Sequence, residues 1–140
     1  MNIPSLLIPK ANIVYLNSKD SLEFALSVFR ESSYHAVPVI NAEGLYRGTV
    51  TEGDFLYYLM DNPKADLKKV KVRNILKDGY YDSVKITANI DKLLIKSLDQ
   101  NFVPVTDDRD VFVGIVTRKV ILKEIYEACR IDLEKSELIH

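Results

Sequence analysis

A chain of 140 residues, 47% hydrophobic and 28% charged, has the composition of a packed globule: one compact domain, or two small halves sharing a core. With 19 basic against 20 acidic residues the formal net charge is −1, which excludes a general affinity for nucleic acid or an anionic membrane, so any anion site must be local. A single cysteine, Cys129, excludes an internal disulfide and a thiolate metal site, and no apolar run is long enough to span a bilayer.

Residues 1–11 read as an N-terminal segment in which Pro4 and Pro9 interrupt the apolar run of Leu6, Leu7 and Ile8. That pattern does not resemble a signal peptide, and a cytoplasmic location is expected. Residues 13–16 suit a short strand. Ser18 and Asp20 offer N-cap side chains for a helix carried by Leu22, Ala25, Leu26 and Phe29. Residues 37–40 are a β-branched apolar run, 41–44 carry turn chemistry, and 45–51 return as a strand. Phe55, Leu56 and Leu59 then resume helical spacing over residues 52–60. Residues 12–62 thus form one unit, and 63–82, with Pro63 and several lysines, a connector.

Residues 83–130 repeat the order: a strand at 84–86, a helix carrying Leu93, Leu94 and Leu98, a strand at 103–106, a turn at 107–110 and a strand at 111–117. The last helix places Ile121, Leu122, Ile125 and Tyr126 on one face, and residues 131–140 read as its extension. Residues 35–51 and 101–117 align without gaps, with Pro38 on Pro104, Gly48 on Gly114 and Thr51 on Thr117, each 66 positions apart. This is a duplicated unit. Each half alone buries too little surface to be stable, so the two must pack as one folding unit.

The string from Gly48 to Asp54, Gly-Thr-Val-Thr-Glu-Gly-Asp, one strand after Pro38 and Val39, resembles the nucleotide-reading stretch of CBS (cystathionine-β-synthase-type) modules. The resemblance covers nearly the whole chain, residues 12–130. It implies an α/β (α+β) fold of tandem CBS domains: two pseudo-two-fold-related β-α-β-β-α units, packed sheet to sheet, with two clefts between them. Carried onto this sequence, the first cleft combines Asn12, Ile13 and Val14 and the loop Tyr34, His35, Ala36 and Pro38 with Thr117, Arg118 and Lys119. The second combines Val84 and Phe102 with Thr51 and Asp54.

These residue types suit such a site on physical grounds. A helix N-terminus presents unpaired N–H groups and a positive dipole end to a phosphate. Arg118 adds a forked donor and Lys119 a point charge there; basic residues at that end oppose the macrodipole, which favours a functional role over a structural one. Tyr34 offers a face to a purine, and Asp54 could accept both hydroxyls of a ribose. Position 120 is Val where the first copy has Asp54, and Leu98 lies six positions before Pro104 where Phe29 lies nine before Pro38. The shortening is expected to narrow the second cleft and favour one phosphate-directed ligand per chain.

Residues 102–124 are similar to the stand-alone bacterial CBS proteins that bind cyclic di-AMP, whose Tyr-x-Ala-x-Pro loop matches Tyr34, Ala36 and Pro38. Their Thr-Arg-Arg helix start matches Thr117, Arg118 and Lys119, with lysine in place of the second arginine. The resemblance implies a homodimer that senses an adenine-nucleotide second messenger and controls a partner enzyme, such as a guanosine tetraphosphate synthetase. A module for AMP, ADP or ATP, and a dimerisation module without ligand, are the alternatives. The expected dimer face sets Phe55, Tyr58 and Leu59 against Ile121, Ile125 and Tyr126, and Cys129 is expected to pack as a small hydrophobe. With two histidines, no Ser–His–Asp or Cys–His spacing and no Walker loop, no catalytic residue, cofactor or metal is expected.

Overall fold

The computed structural model describes residues 1–77 and 81–139, the last nine as helical backbone only. The first unit runs β2 (Leu16–Asn17), α2 (Leu22–Glu31), β3 (Ala36–Ile40), β4 (Tyr46–Thr51) and α3 (Glu52–Asp61). The second repeats it as β5 (Val84–Lys85), α4 (Ile90–Ser97), β6 (Phe102–Thr106), β7 (Phe112–Thr117) and α5 (Arg118–Ile139). A short helix α1 (Ile3–Leu6) and strand β1 (Ile8–Pro9) precede them. The strands form two sheets, β2-β3-β4 and β1-β7-β6-β5.

Local chemistry sets the boundaries. The N-cap of α2 is Ser21, whose Oγ accepts the Phe24 N–H at 3.1 Å, rather than Ser18 or Asp20. Asp20 closes the preceding turn by accepting the Asn17 N–H, and the Ser18 N–H donates to Ile40 O, which fixes Ser18 at the end of the strand and away from the helix start. The opening strands are shorter than the apolar runs suggested. Only Leu16 and Asn17 pair with β3, and only Val84 and Lys85 with β6, both in parallel. Helix α4 has 8 residues against 10 in α2, which absorbs the shorter spacing of the second copy.

The duplication extends to the hydrogen bonds. Both hairpins are antiparallel with a bulge before the last pair, between Val39 and Ile40 and between Val105 and Thr106. In the first turn Asn41 Oδ1 accepts the N–H groups of Glu43 and Leu45; in the second Asp107 Oδ1 accepts those of Arg109 and Val111. The turns close at Gly44 (φ 82°) and Asp110 (φ 66°), left-handed conformations suited to glycine and tolerated by aspartate. The two turns then pair with each other. The Tyr46 N–H donates to Asp110 O at 3.2 Å and the Phe112 N–H to Gly44 O at 2.9 Å, on either side of a Leu45–Val111 bridge. The rings of Tyr46 and Phe112 stack across this junction with centroids 6.0 Å apart.

Each half has its own core, and each core is completed by a segment from outside its unit. The first packs Leu22, Phe29, Val37, Val39 and Phe55 with Val72 and Ile75 of the connector. The second packs Leu93, Val103, Val105 and Val116 with Ile3 and Leu6 of α1. Strand β1 pairs antiparallel with β7 beside it, so the N-terminal segment belongs to the second half's sheet. Helices α3 and α5 turn Phe55 and Ile121 inward, which removes both from the expected dimer face. The exposed apolar residues are instead Leu56, Tyr57 and Met60 on α3, and Leu122, Ile125 and Tyr126 on α5. Cys129 is exposed rather than packed, because the outer part of α5 has left the core.

Gly114 lets β1 approach β7: a Cβ there would lie 2.2 Å from Ile8 O and 2.9 Å from Leu7 Cδ1. Backbone cannot yield as a side-chain tip can. Gly114→Ala is therefore expected to cost about 2–3 kcal/mol in urea unfolding, the scale of an overpacked core, and to loosen α1. Unchanged stability would show that the N-terminal strand contributes little.

Candidate ligand-binding cleft

Between the halves lies a cleft of about 200 Å³. One wall is the segment Asn12, Ile13 and Val14, which precedes β2 and lies outside its strand pairing. A second comprises Tyr34, Ala36 and Pro38, from the α2–β3 loop and β3. The opposite wall carries Phe102, Ile115 and Thr117 of the second half. Ile8 of β1 and Asn101 also line it; Ile8 was not expected there, because the N-terminal segment reads as lying outside both units. Tyr34 is half-exposed at the mouth, whereas Pro38 is buried.

The basic end is arranged differently from the sequence expectation. Thr117 precedes α5, and its Oγ1 accepts the Val120 N–H at 3.3 Å. The Arg118 N–H donates to Asn101 O, which ties the helix start to the cleft wall. The Arg118 guanidinium points to the C-terminal end of α4, with Nε donating to Ser97 O at 2.7 Å and Nη2 to Leu98 O at 3.4 Å. Its charge thus meets the negative end of another helix, which gives this basic residue a structural contact that the sequence did not suggest. Lys119 is exposed, with no ion pair among the described residues. His35 turns away to pair with Glu52, Nδ1 to Oε2 at 3.2 Å.

Among the described residues, those assigned to the second cleft are committed to a helix cap and to packing. Asp54 is buried: its Oδ2 accepts the Thr51 N–H at 2.8 Å while Thr51 Oγ1 accepts the Asp54 N–H, a reciprocal cap at the start of α3. Lys77 Nζ lies 3.4 Å from its other oxygen. Val84 belongs to the second core. Phe102, 66 positions from Ala36, puts a ring where the first copy has a methyl, and it packs on Tyr81 with centroids 5.0 Å apart. Tyr46 closes this side: its hydroxyl donates to Tyr81 O at 2.6 Å and lies 2.7 Å from Thr49 Oγ1. Burial pushes the Tyr46 phenol well above its ordinary range, so it stays a neutral donor. Among the described residues no group of three or more His, Cys, Asp or Glu side chains could hold a metal, and no helix is long and apolar enough to cross a membrane.

A family model described as "CBS domain" matches residues 7–61 and 72–127. Cyclic di-AMP receptor B of Bacillus subtilis (strain 168) is 25% identical over 126 residues, spanning 89% of this chain and 86% of the relative. A crystal structure of CbpB in complex with c-di-AMP superposes with a TM-score of 0.86 at 23% identity, covering 96% of this chain and 91% of that one. The Listeria monocytogenes CbpB protein in complex with c-di-AMP gives 0.79 at 22%, over 92% and 98%.

The two caps predict separable effects on stability. Asp54→Ala removes a buried capping carboxylate and is expected to cost about 1–2 kcal/mol. Arg118→Ala removes two charge-assisted bonds to the end of α4 and is expected to cost about 1–2 kcal/mol in ligand-free protein. Urea midpoints measure both. An Arg118→Ala variant as stable as the parent would show that the guanidinium does not hold α4.

Proposed function

The chain belongs to the CBS-domain family, and from that premise we propose that it is a nucleotide-sensing regulatory protein whose open cleft takes an adenosine moiety of cyclic di-AMP. One observation carries this reading: the cleft between the halves brings Ile13, Val14, Tyr34 and Ala36 together with Thr117, whereas Thr51 and Asp54 are committed to capping a helix. The Bacillus relative named as a cyclic di-AMP receptor, and the neighbours crystallised with c-di-AMP, support the choice of ligand.

The chemistry of the open cleft suits that ligand. Ile13, Val14 and Pro38 wall a flat apolar slot, and Tyr34 at its mouth supplies a ring face for a purine. Residues 12–14 lie outside the strand ladder; the Ile13 N–H donates to Lys10 O, and the remaining backbone groups of this segment can read an adenine edge. At about 200 Å³ the slot is smaller than a site for a whole drug-sized ligand and houses one base. The phosphates then fall near Thr117 and the start of α5. There Lys119 supplies charge, and Arg118 retains guanidinium donors beyond the two committed to Ser97 and Leu98. The second adenosine extends over the rim.

The protein acts as an isologous homodimer through α3 and α5. Leu56 and Leu122, and Met60 and Tyr126, occupy pseudo-equivalent exposed positions on these helices, an apolar surface that a second copy would cover. Ligand occupancy then alters a surface read by a partner protein.

Calorimetry with cyclic di-AMP, AMP, ADP and ATP is expected to rank cyclic di-AMP tightest. Ala36→Phe, which copies the filled position into the open one, is expected to abolish binding, while Asp54→Ala leaves it within about threefold. Binding that survives Ala36→Phe and is lost in Asp54→Ala would put the ligand elsewhere. Sedimentation at micromolar concentration is expected to show a dimer that Leu56→Glu with Leu122→Glu converts to monomer; a monomeric parent chain rejects the dimer.

A further inference from the structure

Away from the cleft, at the outer edge of the first half, Ser18, Asn41, Arg47, Arg73 and Leu76 enclose a cavity of about 430 Å³. Its polar groups are donors or neutral: two guanidiniums, a hydroxyl and an amide, with no carboxylate among the lining residues. Neither Arg47 nor Arg73 has an ion pair or a side-chain hydrogen bond among the described residues, although the chain carries 20 acidic residues. Asn41 spends its Oδ1 on the N–H groups of Glu43 and Leu45, which leaves its amide nitrogen uncommitted.

The cavity is held by backbone rather than by loose surface chains. The Arg73 N–H donates to Ser18 O at 3.0 Å, and the Ser18 N–H donates to Ile40 O at 2.7 Å, next to Asn41. Leu76 forms its apolar side, packed so close to Gly48 that a Cβ there would lie 3.3 Å from Leu76 Cδ2. The pseudo-symmetric half has no counterpart. The positions equivalent to Ser18, Asn41 and Arg47 are Ile86, Asp107 and Val113, and in that half Lys85 is paired with Asp110. The fold therefore does not need two arginines here.

We propose that this cavity is an anion site for a phosphate monoester or polyphosphate end, distinct from the nucleotide cleft. Two guanidiniums with no ion pair among the described residues line one cavity, and a multiply charged tetrahedral oxyanion would accept forked charge-assisted bonds from both. Ser18 and the Asn41 amide add neutral donors to the remaining oxygens. Leu76 leaves space beside the anion for an apolar substituent.

Calorimetry with inorganic phosphate, pyrophosphate and ADP on the full chain tests this. Pyrophosphate is expected to bind saturably and more weakly as salt rises. Arg47→Ala and Arg73→Ala should each weaken it at least tenfold, and the lysine substitutions severalfold. Arg30→Ala, an exposed arginine elsewhere, should change nothing. Both cavity arginines are exposed, so the variants are expected to fold, and circular dichroism verifies this. Ala36→Phe, which blocks the nucleotide cleft, should leave pyrophosphate binding intact; loss there would assign the anion to the cleft and overturn the proposal. Tighter binding of ADP than pyrophosphate to Ala36→Phe would mark a phosphorylated nucleoside as the source, and equal binding a free polyphosphate. No saturable binding at millimolar pyrophosphate, or binding unchanged when both arginines are removed, also overturns it.

Discussion

The rest of the structure depends on the reciprocal pairing of two turns. Tyr46 donates to Asp110 and Phe112 donates to Gly44, so each turn satisfies the backbone of the other across the pseudo-dyad. Such pairing requires both turns to have the same shape. Asn41 and Asp107 secure that by gathering two N–H groups each on one side-chain oxygen, and a left-handed residue closes each turn. Phe112, almost wholly buried, and Tyr46 then stack over the junction and exclude water from its hydrogen bonds. Relative rotation of the halves would break bonds on both sides at once.

With the frame fixed, what differs between the copies decides what the molecule can bind. Equivalent positions face each other across the same axis, so a single side-chain change opens or fills a site without altering the fold. Ala36 against Phe102 is the clearest case, and Tyr81 adds a second ring to the filled side. The carboxylate at Asp54 serves the helix it caps: it is buried, one oxygen accepts the Thr51 N–H and the other faces Lys77. At the corresponding start of α5 the cap is Thr117 alone. The carboxylate is missing, and the site near the open cleft is left electropositive.

Much of the fold was legible in the sequence because it rests on periodic or repeated signals. The constant spacing of Pro38, Gly48 and Thr51 to their copies announced two units, and the apolar spacing located the helices. The N-cap of α2 was misread because Ser18, Asp20 and Ser21 all have capping chemistry, and only the turn geometry decides which faces the helix. Phe55 and Ile121 are inside rather than on an outer face because a period of 3.6 identifies a stripe but not which edge of it the core covers; Ile125 and Tyr126 lie on the exposed edge as expected. The role of Arg118 could not be read locally, since its partners, Ser97 and Leu98, are about 20 residues away in sequence. Ile8 was invisible for the same reason: two-residue pairing with β7 leaves no pattern to detect.

That two-residue strand also explains why the cleft is placed to respond to its contents. Ile8 lines the slot, its carbonyl abuts Gly114, and α1 just before it plugs the second core with Ile3 and Leu6. The opposite wall is residues 12–14, between β1 and β2, which the sheet does not hold. The segment from Ile3 to Asn17 therefore starts in the core of the second half, borders the cleft, and ends in the sheet of the first. Short pairings and open backbone are the least stable parts of a fold and the first to exchange between arrangements. A ligand bound between Val14 and Thr117, as proposed, would touch both halves and stabilise only conformations that keep the two walls at that separation. Binding free energy would thus be delivered to a segment that joins the core of one half to the sheet of the other.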